Sequence, residues 1–353
     1  MQYRRLLNLI LIFSIPIFLT GCYLLKQGIY LFRYNSSARS VDRILKDPDT
    51  EEKIRSFLML VQEIRAFAVD SVGLEKNRNY TRMVEVNKDY IAVFVSAAQK
   101  LSFEQYKWCF PILGCIPYKG YFEIDDARQE ALKLSTAGYD VDISEVEAFS
   151  TLGFFSDPLY SYMADYKVFS LASLIIHEQT HATIYLKGQA QFNEELATFI
   201  GNKGALKFVK MKYGEDSDQY RNAISAVRDR QAYRSIMKKL VNDLDCIYTS
   251  DEIPDVKSKK KQQTIDAFRS FVKNNYDTIF ETPYYRNIES MQINNASLAV
   301  WMTYTFDLGI FEQVYERHLG DLKSLMEYIR TLKKTKGDPK EHIREFLMKN
   351  NVQ

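Results

Sequence analysis

In the segment Ser173-Leu174-Ile175-Ile176-His177-Glu178-Gln179-Thr180-His181, two of the chain's four histidines stand four residues apart, with a glutamate directly after the first. No other feature constrains the fold so strongly. Residues four apart on an α-helix lie one turn above each other on the same face, so the two imidazoles reach one metal ion only if this stretch is helical. The run 169–176 is mostly apolar and free of breakers, as a buried helix carrying a site would be. Residue types agree with the spacing: in an H-E-x-x-H pattern the imidazoles hold zinc and the glutamate reaches a water on that metal. The bland alternative is a pair of helix histidines satisfied by local hydrogen bonds.

Two histidines leave the site incomplete, and a second helical pattern opens at Asn193-Glu194-Glu195-Leu196-Ala197. Glu194 and Glu195 both qualify as the third ligand by type, but adjacent helix positions point about 100° apart, so only one reaches the metal. Asn193-Glu194-x-x-Ala197 resembles the third-ligand motif of gluzincin peptidases, which favours Glu194 and keeps Glu195 as the alternative. Only twelve residues, 182–193, separate His181 from Glu194, so the two helices must be joined by a tight turn, for which Gly188 is suited. The expected cofactor is one zinc ion per chain, held by His177, His181 and Glu194 with one position open. Glu178 is then the general base. An oxyanion donor is expected from tyrosine, with Tyr118, Tyr121 and Tyr304 as candidates; in a chain with 24 tyrosines each is as readily a wall or core residue. Asn294-Asn295 is read either as a polar anchor near the site or as a helix cap.

The first residues read as an address. Arg4-Arg5 precede an apolar segment, 6–19, that is short for a membrane span, and Leu19-Thr20-Gly21-Cys22 is similar to a bacterial lipobox. Residues 1–21 are therefore expected to be a removed signal peptide, with Cys22 lipidated and the body exported and tethered to a membrane of the cell envelope. An uncleaved N-terminal anchor is the alternative. A formal net charge of +2 gives no argument for nucleic acid, and the run 257–261 reads as a solvated basic loop. In an oxidising compartment Cys109 and Cys115 are expected to form a disulfide, leaving Cys246 as a buried thiol.

Taken in order, 23–34 is an aromatic segment expected to pack back on the body, and 51–69 carries an apolar stripe at helical spacing. From about 80 to 155 the texture turns to strands: 90–95, a turn-rich hairpin over 108–122, a short helix over 126–135, and 141–150. Phe149 to Gly153, including Ser150, is the candidate edge strand for holding a substrate backbone. Beyond the active-site helices, about 165–213, the pattern is almost entirely helical to the end, with 249–261 as a loop and 287–305 as one of the expected helices. The predicted fold is α+β but mainly α, a small sheet followed by a zincin-like two-helix site and a helical C-terminal region, with 22–353 as a single domain.

Several motifs in fixed order carry a wider resemblance: 108–122 with its Trp108-Cys109-Phe110-Pro111 start and Cys115-x-Pro117-Tyr118-Lys119-Gly120-Tyr121-Phe122 end, then 149–158, His177-Glu178-x-x-His181, Phe192-Asn193-Glu194-x-x-Ala197-Thr198, and Asn294-Asn295-Ala296. Together these resemble a bacterial family of predicted lipoprotein aminopeptidases with a gluzincin-type zinc site. The resemblance implies a zinc-dependent aminopeptidase acting on peptides. It departs from the family pattern at Ala182 and at Ala190-Gln191, which bears on the pocket lining and not on the ligands. The alternatives are an envelope endopeptidase of the same fold and a lipoprotein that keeps the fold as a binding or assembly module. An aminopeptidase needs an acidic group for the substrate amine, and the sequence offers Glu147 and Asp157.

Overall fold

The computed structural model describes residues 23, 25–110, 114–146, 156–303 and 308–349, and it is mainly helical with small sheets in the N-terminal half. Residues 25–37 form α1. Its Tyr30 and Tyr34 stack on Phe122, and Tyr23 stacks on Phe110, so this aromatic segment packs back on the body as its composition predicts. Next come β1 (Arg39–Ser40), α2 (Val41–Lys46) and α3 (Glu52–Asp70). The stripe Phe57, Leu58, Val61, Ile64 and Ala68 is the buried face of α3 and forms part of the main core.

The strand region comprises β2 (Arg82–Val84), β3 (Ala92–Ala98), β4 (Trp108–Phe110), β5 (Gly114–Ile116), β6 (Tyr118–Tyr121), α4 (Ile124–Thr136), β7 (Asp140–Val146) and β8 (Leu159–Tyr160). One sheet was expected; the described strands form two of three strands, ordered β1-β2-β8 and β6-β3-β7, and the hairpin β4-β5. β3 is paired on both edges, antiparallel to β6 and β7. It is also covered on both faces, which is why its sequence is nearly all apolar. Val93, Val95 and Ala97 pack with Ala127 and Leu134 of α4, while Ala98 points the other way. Cys109 and Cys115 face each other across the β4-β5 ladder and are joined by a disulfide. Cys246, by contrast, is exposed and not the buried thiol expected.

The second half is helical: α5 (Val168–Thr183), α6 (Ala190–Tyr213), α7 (Asp218–Tyr248), α8 (Pro254–Ile279), α9 (Asn295–Thr303), α10 (Gly309–Arg317), α11 (Leu322–Thr331) and α12 (Pro339–Lys349). α5 and α6 belong to the main core with α3, α10 and α11, and a second core lies between α7, α8 and α9. Ala296 and Ala299 of α9 meet Ala98, which ties this second core to the sheet. Two expected boundaries were wrong. The basic run 257–261 is not a loop, because α8 begins at Pro254, whose missing N–H costs nothing at a helix start. Three of its four lysines are engaged: Lys257 Nζ donates to Tyr248 O, Lys260 pairs with Glu252, and Lys261 pairs with Asp140 of β7. The helix expected over 287–305 is a 3₁₀ segment, Pro283–Glu289, followed by α9. Asn294 Oδ1 accepts from the N–H groups of Ala296 and Ser297, and is thus the helix cap. The fully buried Asn295 donates to the carbonyls of Gln99, Lys100 and Ser102, a structural stitch with no part in the site. Among the described residues no helix is long and apolar enough to cross a membrane.

Candidate metal centre and its cleft

α5 is buried along Leu171, Ala172, Ile175, Ile176 and Gln179, which leaves His177, Glu178 and His181 on the flank turned to α6. α6 approaches that flank closely because its facing residues are small. A Cβ on Gly201 would lie 2.7 Å from Ser173 O and 3.2 Å from His177 Cβ, and one on Gly204 would lie 3.0 Å from the Ile176 side chain. Ala197 and Ala205 continue the same buried surface. The turn between the helices is fixed from the first turn of α6. Asn193 Nδ2 donates to Leu186 O and its Oδ1 accepts from Leu186 N, each at 2.9 Å, and Gly188 takes a positive φ of 78° that side chains disfavour. Asn193 thus locks the first turn of α6 against the end of the loop, with Glu194 as the next residue.

Glu194 Oε1 lies 3.4 Å from His181 Nε2, Glu194 Oε2 lies 3.6 Å from His177 Nε2, and the two Nε2 atoms are 3.1 Å apart. Among the described residues these three form a group that could hold a metal ion, their ligand atoms all within 4.8 Å of one another. Glu195 faces away. Its side chain has no exposure, Gln191 Nε2 donates to it at 3.0 Å, and Lys340 Nζ of α12 lies 2.5 Å from its other oxygen. Of the two sequence candidates, Glu194 is the one brought to the histidines.

The electrostatics reflect this convergence. Burial pushes the Glu194 carboxyl up, but hydrogen bonds and charge from His177 and His181 outweigh it and hold the group down at about 2. Burial pulls the His181 imidazole down, yet Glu194 and Glu178 leave it above its ordinary value. Glu178 is raised, chiefly by burial, with the histidines opposing and Asp157 and Glu194 adding repulsion. Its Oε2 is buried without a hydrogen-bond partner, as is His181 Nδ1. Two imidazoles and a carboxylate aimed at one point, with an unpartnered carboxylate oxygen beside them, fit a zinc site with an adjacent base.

His177 and Glu178 line a cleft of about 460 Å³ whose far wall comes from α7 and from residues 284, 285 and 301. Arg230 and Arg234 reach into it from α7, beside Tyr233 and Tyr285, whose rings stack at 4.5 Å. Asp157 and Tyr80 are near enough to Glu178 to feel its charge. Asp157 is 5% exposed, accepts from Asn79 Nδ2 and accepts through its backbone from Tyr80 N, and it is not among the described residues that line the cleft. Tyr80 is buried at a positive φ of 61°.

The other sequence candidates divide into two groups. Tyr118 and Tyr121 do not line the cleft: Tyr118 is 40% exposed and packs on Phe94, and Tyr121 is buried against Tyr23. Both belong to β6, where positions three apart face opposite sides of the strand. Tyr304, Ser150, Gly153, Glu147, the whole edge strand Phe149 to Gly153, and Cys22 lie outside the described residues. Sequence reading missed Asn193 as the turn clamp, Gly201 and Gly204 as the helix contact, and Arg230 and Arg234 as cleft residues. The small-residue spacing Ala197, Gly201, Gly204, Ala205 carried a signal for the second; nothing local marks α7 as a wall of the site.

With this geometry described, comparison with known proteins adds a family. A family model described as "Putative aminopeptidase" matches residues 22–344. No curated protein and no solved structure matches the chain.

Proposed function

This chain belongs to the "Putative aminopeptidase" family, and on that premise we propose that it is a zinc-dependent peptidase, acting as an aminopeptidase. The observation that carries the reading is the convergence of His177, His181 and Glu194 within 4.8 Å, with the buried carboxylate of Glu178 unpartnered beside them. Zinc in such a set polarises a scissile carbonyl and lowers the pKa of water. Glu178 is the group to take the proton from the attacking water and return it to the leaving amine. Its raised pKa suits a residue that must both accept and release a proton. His181 and His177 are oriented by the helix and Glu194 by the Asn193 turn. The amino-end direction rests on the family description; an endopeptidase of the same fold is the second reading. The body is proposed to be exported and anchored through a lipid on Cys22, since 19–22 are similar to a lipobox and Tyr23 begins the aromatic segment that docks on the body.

The test is a screen of free and N-acetylated peptides with the zinc-loaded chain and a chelator control. Hydrolysis that the chelator abolishes and that acetylation blocks is expected. Cleavage that survives removal of metal would refute the zinc reading, and equal cleavage of acetylated peptides would replace the aminopeptidase by the endopeptidase.

A further inference from the structure

α7 carries arginines on two sides, and they are treated differently. Arg221 pairs with Asp218, and Arg228 pairs with Glu281. Arg230 and Arg234, four apart and therefore on one face, line the cleft beside His177 and Glu178 and meet no carboxylate among the described residues. Arg230 is held in place: its Nη1 donates to Asn202 Oδ1 at 2.6 Å, and its guanidinium lies 5.1 Å from the centre of the Phe169 ring. Asn202 also accepts from Ser173 Oγ at 3.2 Å, one turn before His177 on α5. Arg234 makes no hydrogen bond among the described residues. Burial and the charge of Arg230 pull it below its ordinary value. Two like charges at this spacing repel, and partial desolvation adds to the cost, so an anion entering the cleft relieves both.

We propose that Arg230 and Arg234 form the subsite for a substrate carboxylate, so that the cleft takes peptides presenting an acid next to the bond to be cleaved. Guanidinium forks recognise carboxylates with paired, charge-assisted hydrogen bonds, and here the pre-held Arg230 supplies a fixed donor while Arg234 is free to close. The stacked Tyr233 and Tyr285 wall supplies apolar surface for the stem of such a residue. The carboxylate comes either from a glutamate or aspartate side chain or from the C-terminus of a short peptide. This inference rests on the peptidase reading for the bond that is cut, but not for the anion that is bound.

The experiment uses the full zinc-loaded chain with short peptides carrying glutamate at the first or second position, the glutamine isostere of each, and either a free or an amidated C-terminus. Replacing the recognised carboxylate by an amide is expected to lower kcat/KM on the order of 10- to 100-fold, as loss of a charged hydrogen bond does. The position at which this happens identifies the source. In Arg234→Gln that acid-to-amide ratio is expected to shrink toward one. Calorimetric binding of the same peptides to chelator-treated protein, where no metal competes for the carboxylate, is expected to show the same preference and the same loss in Arg234→Gln. Equal handling of acid and amide, or a ratio untouched by Arg234→Gln, overturns the proposal. If no peptide is cleaved, the peptidase reading falls, and the binding preference alone decides whether the carboxylate subsite stands.

Discussion

Two adjacent glutamates, Glu194 and Glu195, show how much a single residue's direction decides. Glu194 reaches both imidazoles, whereas Glu195 is closed off with Lys340. Their alanine variants should therefore fail differently. Glu194→Ala is expected to lose stoichiometric zinc on dialysis and to show no rise in Tm when zinc is added; Glu195→Ala is expected to keep its zinc and its zinc-dependent rise in Tm but lose about 3 kcal/mol of stability, the cost of breaking a buried pair. Metal analysis and thermal unfolding of the two variants check this, and an exchange of phenotypes would reverse the ligand assignment. Glu178→Gln should retain zinc and lose hydrolysis on the order of 10²- to 10⁴-fold, the contribution typical of a positioned base; unimpaired turnover would remove its role. The pH response follows from His181, whose pKa is raised in the folded, metal-free chain. Its pairing with Glu194 stabilises that form below the unfolded imidazole pKa of about 6.5, and the contribution is lost as pH rises through the higher folded value. Zinc requires the neutral ring, so its binding is opposed over the same range. The rise in Tm on adding zinc is thus expected to grow from about pH 5.5 to about pH 8, and a rise that shrank with pH would contradict the site.

Between elements, the decisive contact is the close approach of α5 and α6. It depends on Gly201, whose added Cβ would meet a backbone oxygen at 2.7 Å, a neighbour that cannot turn aside. Gly201→Ala is expected to force the helices apart, lowering stability by about 1–3 kcal/mol as overpacking does and weakening zinc binding, because the shift falls at His177. Calorimetry and metal titration of that variant would show it, and wild-type zinc affinity would mean that the approach is not needed. The spacing of the histidines made α5 legible from sequence, and the small residues of α6 were visible though unread. The clamp of Asn193 on Leu186 was not, because a turn that closes on itself through a side chain leaves no periodic trace. Similarly, Pro254 was read as a loop residue although it opens α8, since the same proline suits either setting.

Across the whole molecule, three separated parts converge on one cleft: α5 and α6, α7 with its arginines, and residues 284, 285 and 301. The Cys109–Cys115 bridge belongs instead to the β4-β5 hairpin. Closing so short a loop, it should contribute about 2 kcal/mol, so reduction is expected to lower Tm while leaving zinc stoichiometry intact; metal loss on reduction would place the hairpin in the site. What the sequence settled by itself is whatever is local or periodic. His177 and His181 share a face because a helix repeats every 3.6 residues, the stripe of α3 is its buried face for the same reason, and the mainly helical class follows from that periodicity over the second half. What only the tertiary structure decided is which chemically similar residue faces inward. Glu194 rather than Glu195, Arg230 and Arg234 rather than Arg228, and a sheet role for Tyr118 and Tyr121 all depend on where distant elements pack. Residue type is the same on either side of that choice, and contacts between remote segments are set by shape and burial that no local pattern records.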